Sequence, residues 1–134
     1  MQHQEFLGEV QHHGRMSSIA EADRAADATL ATLAERLVGG TAANLAAQLP
    51  PETAAYMRDV EFAESFSLDE FFARVSRREG VDLPKSVHHA RAVIDVLREA
   101  VSRGAMDHVR DQLPDEWAPL FESGSEGEMD RRDR

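Results

Sequence analysis

The chain has 134 residues, 42% of them apolar, with a formal net charge of −10 and no cysteine. That length fits one compact domain or two small lobes sharing a core, and the missing cysteine excludes disulfides, thiolate metal sites and a cysteine nucleophile. So acidic a surface repels phosphate and disfavours nucleic acid as a partner, and no apolar run approaches the roughly 20 residues of a membrane helix.

The opening residues Met1-Gln2-His3-Gln4-Glu5 lack the basic-then-apolar pattern of a signal peptide, so a cytoplasmic location is expected. Lys85 is the only lysine among 15 basic residues. An acidic, lysine-poor chain fits either a high-GC genome or a salt-adapted organism.

Apolar residues recur at helical spacing almost throughout. Phe6, Leu7 and Val10 predict a short first helix closing near Gly14. Ser18-Ile19-Ala20-Glu21 reads as a capping box, in which the serine hydroxyl accepts from the first turn and the glutamate reaches back. The long helix that follows carries Ala22, Ala26, Leu30, Leu33 and Leu37 on one face, with Gly39-Gly40 as its expected stop. Ala42, Leu45 and Leu49 mark a shorter helix, broken by Pro50-Pro51, and the second proline can open a further turn.

The pattern then recurs. Ser67-Leu68-Asp69-Glu70 is a second capping box, followed by Leu68, Phe71, Phe72 and Val75, with an end near Gly80. Pro84 lies near the start of another long helix bearing Val87, Ala90, Ile94, Leu97 and Val101, with Gly104 as its expected stop. Met106, Val109 and Leu113 form the next short helix, and Pro114 breaks it. No segment alternates with period two, so no strand is expected.

Laying Ala26 over Ala90 and continuing in step aligns positions 26–57 with 90–121 without a gap. Ten of these pairs are identical, Leu33/Leu97, Glu35/Glu99, Gln48/Gln112 and Pro50/Pro114 among them. Average composition would give roughly two or three. The first helices match in a register one position longer, which pairs Phe6 with Phe71 and Val10 with Val75. The fold expected is all-α: two tandem divergent helical units, 1–57 and 67–122, packed around a shared core. Residues 58–66 are expected to form a linker that packs through Phe62 and Phe66. The polar stretch 123–134 has almost nothing to bury and is expected to be disordered.

Phe6-Leu7, Thr32-Leu33-Ala34-Glu35-Arg36-Leu37 and Ala46-Ala47-Gln48-Leu49-Pro50 resemble the first half of domain of unknown function family 2267. Glu70-Phe71-Phe72-Ala73-Arg74-Val75, Ala90-Arg91-Ala92-Val93 and Asp111-Gln112-Leu113-Pro114 resemble its second half. The resemblance runs from about residue 5 to 122. It implies a helical fold from bacteria or archaea and carries no activity with it. Asp27 departs from the Ala-Arg-Ala pattern that holds Arg91.

Few residues suggest chemistry. Glu9-Val10-Gln11-His12 is a Glu-x-x-His, and residues three apart on a helix share a face, so both can ligate one metal. Carboxylate-bridged dimetal sites need a second such motif, and Arg77 and Arg78 stand where it would fall. A solvated helix face is the expectation. In His88-His89 the two rings point about 100° apart and chelate poorly as a pair; one is expected to pack and the other to face solvent. Gln48-Leu49-Pro50 and Gln112-Leu113-Pro114 are expected to hold the helix breaks, the glutamines bonding freed backbone groups. Arg74, Arg77, Arg78, Arg91, Arg98, Arg103 and Arg110 are interleaved with acids and are expected in helix-face ion pairs. Trp117, Leu120 and Phe121 are expected to cover the core. No phosphate loop or nucleophile elbow occurs, so no catalytic, cofactor or metal residue is assigned. The function expected is a small binding or protein-interaction module with a protein partner or a second copy of itself. The alternative is a metal protein or enzyme using Glu9, His12 or the His88-His89 region.

Overall fold

A computed structural model describes residues 1–38, 40–57, 60 and 63–122. The chain is all-α: α1 (His3–Gly14), α2 (Ile19–Arg36), α3 (Thr41–Ala47), α4 (Pro51–Ala54), α5 (Leu68–Glu79), α6 (Leu83–Ala100), α7 (Arg103–Asp111) and a closing 3-10 helix (Asp115–Phe121). No strand occurs among the described residues. Gly39, Phe62 and the stretch 123–134, where the sequence predicts a helix stop, part of a packed linker and a disordered tail, lie outside them.

The helix starts follow from local chemistry. Ser18, Ser67, Asp82 and Ser102 each accept a bond from the backbone N–H three residues on, satisfying a first-turn donor that has no partner within the helix. The two predicted capping boxes are half realised. Glu21 bonds the N–H and hydroxyl of Ser17, at 2.9 Å each, instead of the Ser18 amide. Glu70 turns away to Arg74 one helical turn on, at 2.9 Å, because a guanidinium offers a charge-assisted bond that an amide does not.

The helix stops correct the sequence expectation at two glycines. α2 ends at Arg36 with Leu37 extended, and α6 ends at Ala100 with Val101 extended. Both capping side chains are buried in the core, at 5% and 9% exposure, so apolar anchoring draws the chain out of the helix where a glycine stop was expected. Gly40 instead precedes α3, and Gly104 lies inside α7. Gly80 does close α5 in the left-handed conformation, as expected. At the end of α1 that conformation falls on Arg15, with φ of 52°. Its neighbour Gly14 sits close to α6: a Cβ there would stand 3.4 Å from the Ala92 Cβ and would have to displace the flexible end of Met16, 2.5 Å away at Cε.

The two long helices, α2 and α6, form the centre and pack on each other, and both α1 and α5 pack on the two of them. A contact between Glu21 and His89 near their starts, and one between α3 and α7 beyond their ends, mean that α2 and α6 run in the same sense. Leu30, Leu33, Ile94 and Leu97 are fully buried between them and their neighbours, with Phe6, Val10, Phe71 and Val75 from the covering helices. Trp117, Leu120 and Phe121 close one side from the 3-10 helix, which packs on α6. Phe66 packs against this core, its ring 6.3 Å from that of Trp117 and its carbonyl accepting from the Arg36 Nε at 2.9 Å.

Element positions repeat along the chain. α1 and α5 each span 12 residues, starting at His3 and Leu68, and α2 and α6 each span 18 residues, starting at Ile19 and Leu83. These starts fall in the same two registers that pair Phe6 with Phe71 and Leu33 with Leu97. Contacts follow the same exchange: α1 covers α6 as α5 covers α2.

Candidate functional site

Three places on this frame collect polar chemistry. The first lies between α1 and α6. The alternative reading paired Glu9 with His12, three residues on. The structure sets Glu9 against His13, with Glu9 Oε1 3.5 Å from His13 Nε2, while His12 is exposed and meets His13 only edge-on at 6.1 Å. Two acids of α6 complete the group: Glu99 Oε2 lies 3.8 Å from His13 Nε2, and Asp95 Oδ2 lies 3.9 Å from His13 Nδ1. Asp95 also meets Arg98 at 3.7 Å. One ligand atom each from Glu9, His13 and Glu99 fall within 4.8 Å of one another.

The second place is buried. His89 is 3% exposed and bonds the Glu79 carboxylate through Nδ1, while its Nε2 lies 3.5 Å from Glu21. Among the described residues, the other Glu79 oxygen has no protein partner. His88 is exposed and bonds the last carbonyl of α1, at Gly14, at 3.0 Å. One histidine packs and the other faces solvent, as adjacent places on a helix required.

The third place is a cleft of about 550 Å³ beside α7 and the 3-10 helix. Leu113, Pro114, Trp117 and Phe121 give it an apolar floor, and Asp107, Asp111 and Asp115 an acidic rim. Arg110 also lines it, with its guanidinium 5.2 Å from the Phe121 ring centre. Trp117 is 1% exposed, with the Arg36 guanidinium 5.2 Å from its ring centre and an indole N–H that has no acceptor among the described residues.

Five of the seven arginines meet acids, Arg74 and Arg78 across to another helix, while Arg110 lies over the Phe121 ring. Arg74 bonds Glu35, Glu64 and Glu70 at 2.9 to 3.0 Å, and Arg78 bonds Glu35 and the Thr32 hydroxyl. Burial would raise the Glu35 pKa, but its bonds to Arg78 and Arg74 outweigh that and hold the carboxyl below its ordinary range. Arg91 meets Glu122, and Arg98 bonds the Phe121 carbonyl at 2.6 Å. Tyr56 bonds Asp23, and burial together with that bond and charge pushes its hydroxyl pKa up.

A family model described as an uncharacterized conserved protein, DUF2267, matches residues 3–120. The chain belongs to this family. The match covers α1 to α7 and all three places just described, apart from Phe121 at the edge of the cleft. Comparison with curated proteins gives no match. The DUF2267 description names no reaction. No helix among the described residues is long and apolar enough to cross a membrane.

Sequence reasoning missed two parts of this. Asp95 and Glu99 stand far along the chain from His13, and nothing in their own helix marks them as its neighbours. Glu79 ends a helix rich in arginine and reads as solvated; only the fold turns it onto His89.

Proposed function

We propose that this DUF2267 protein is a non-catalytic, cytoplasmic interaction module that docks a protein segment carrying basic and apolar side chains in the cleft beside α7. The observation that carries the reading is the pairing of an apolar floor with three rim aspartates. Apolar side chains of a partner would leave water on the floor, and its lysines or arginines would meet the rim. A net charge of −10 draws such a segment in from a distance. Seating the partner beside Trp117 also places it over the chain's only tryptophan.

The same reading takes the chain as two divergent copies of one helical unit, 1–57 and 67–122, around a common core. The equal helix lengths, their matching registers along the chain and the exchange of covering helices support it.

The test is a titration of the protein with a synthetic Lys/Leu amphipathic peptide, followed by Trp117 emission. A saturable change, lost in Asp111→Lys/Asp115→Lys, is expected. No change, or the same change in the charge-reversed variant, would reject the cleft as the docking place. Sedimentation of the protein alone distinguishes self-association: a dimer that the same variant disperses would make a second copy the occupant.

A further inference from the structure

We propose that Glu9, His13 and Glu99 form a binding site for one first-row divalent cation, with zinc the best match to their donors. The register that pairs Phe6 with Phe71 also pairs Glu9 with Arg74 and His13 with Arg78, and the register that pairs Leu33 with Leu97 pairs Glu35 with Glu99. These are corresponding places on α1 and α5 and on α2 and α6, and α5 packs on α2 as α1 does on α6. On α5 the two places hold Arg74 and Arg78, whose guanidinium groups both bond Glu35. On α1 they hold a glutamate and a histidine, facing the glutamate that corresponds to Glu35. Two fixed cations at one place are thus replaced at the other by a second carboxylate and an imidazole. An acid, Asp95, is added where α2 has Ala31.

Such a set offers metal ligands. Zinc bonds imidazole nitrogen and carboxylate oxygen at about 2.0–2.2 Å, which places tetrahedral ligand atoms about 3.3–3.6 Å apart. The His13 Nε2 stands 3.5 Å from Glu9 Oε1 and 3.8 Å from Glu99 Oε2. Small rotations of these side chains close the remaining difference, and both glutamates retain the exposure to make them, at 43% and 52%. Asp95 stands at the opposite ring nitrogen. Once a small rotation brings it into hydrogen-bond reach, a carboxylate there would favour the tautomer with hydrogen on Nδ1, leaving the Nε2 lone pair toward Glu9 and Glu99, as in carboxylate–histidine–zinc arrangements. Arg98 sits beside Asp95, outside the ligand set. Partial exposure leaves the fourth position to water. One nitrogen among oxygens favours zinc, nickel or copper over calcium, magnesium or manganese. The three ligands share no residue with the α7 cleft, so this proposal and the docking reading stand or fall separately.

The test is calorimetric titration of the chelator-stripped, dialysed full-length protein with zinc chloride, with melting followed by circular dichroism. One zinc per chain is expected, with a higher melting temperature in its presence. His13→Ala and Glu99→Gln should each weaken binding at least tenfold, while His12→Ala leaves it unchanged. Glu9→Arg/His13→Arg, which installs the residues found on α5, should abolish binding yet melt, without metal, no lower than the parent. That variant separates loss of the site from loss of the fold. Absence of binding at submillimolar zinc would overturn the proposal. So would full binding in His13→Ala, or equal losses in His12→Ala, either of which would mark adventitious surface coordination only.

Discussion

Gln48 and Gln112 make the same bond in opposite directions. The Oε1 of Gln48 accepts from the Ser102 N–H at 2.7 Å, just past the end of α6, and the Oε1 of Gln112 accepts from the Val38 N–H at 3.0 Å, just past the end of α2. Each glutamine ends one short helix and satisfies a backbone donor left free where the other long helix stops.

The two glutamines are therefore expected to stabilise by different amounts. Gln112 also donates to the Val38 carbonyl at 3.3 Å and to the Thr41 hydroxyl. Gln48→Ala should cost about 0.5–1.5 kcal/mol, the net worth of an ordinary hydrogen bond. Gln112→Ala should cost more. Urea denaturation of the two variants checks the order.

Leu33 and Leu97 are both fully buried, on the two central helices. Each Leu→Ala change should lower stability by about 2–5 kcal/mol, from lost transfer energy and the cavity left behind. Because the two sites occupy corresponding positions, the costs should be close to one another. Denaturation midpoints at constant m-value would show it, and a variant within about 1 kcal/mol of the parent would contradict the shared-core architecture.

Acid should act in part through Glu35, together with Glu21 and Glu70, whose carboxyls are also held below the ordinary range. The folded-state pKa of Glu35 is depressed below the ordinary 4.5, so the stability it contributes is present above that pH and is lost as pH falls through the folded-state value. The parent should therefore weaken on acidification below about pH 4.5. Glu35→Gln should start from lower stability at neutral pH and show a flatter acid limb. Thermal melts across that range measure both, and parallel curves for the two proteins would assign the acid response elsewhere.

His89 and Glu79 form a pair with 3% and 1% of their side chains exposed. Removing one partner strands the other polar group in the core. His89→Ala should thus cost about 3–5 kcal/mol, while the apolar replacement of both, Glu79→Leu/His89→Leu, should recover much of that loss. A double variant no better than the single would show that the pair is held by more than its own bond.

Much of the architecture was legible because it depends on local chemistry. Helical spacing marked the buried faces, serine hydroxyls marked starts, and the recurrence of Leu33 as Leu97 placed both at the centre. The helix stops were misread because glycine is a visible signal whereas Leu37 and Val101 act only through the core they reach. Site geometry was less accessible. Glu9 has partners available at both His12 and His13, and α6, distant in the chain, selects His13 by bringing Asp95 and Glu99 beside it.

The covering arrangement also sets an order of events during synthesis. α1 is made first, yet one of the two helices it packs on, α6, begins at Leu83. Phe6 and Val10 therefore lack part of their final cover until the second long helix has left the ribosome, and α5 must meanwhile find α2, made earlier. Such sequence separation slows a helical protein relative to bundles closed by neighbouring helices. It also leaves the nascent first half with an open apolar face, which a chaperone or a second nascent chain would meet before α6 does.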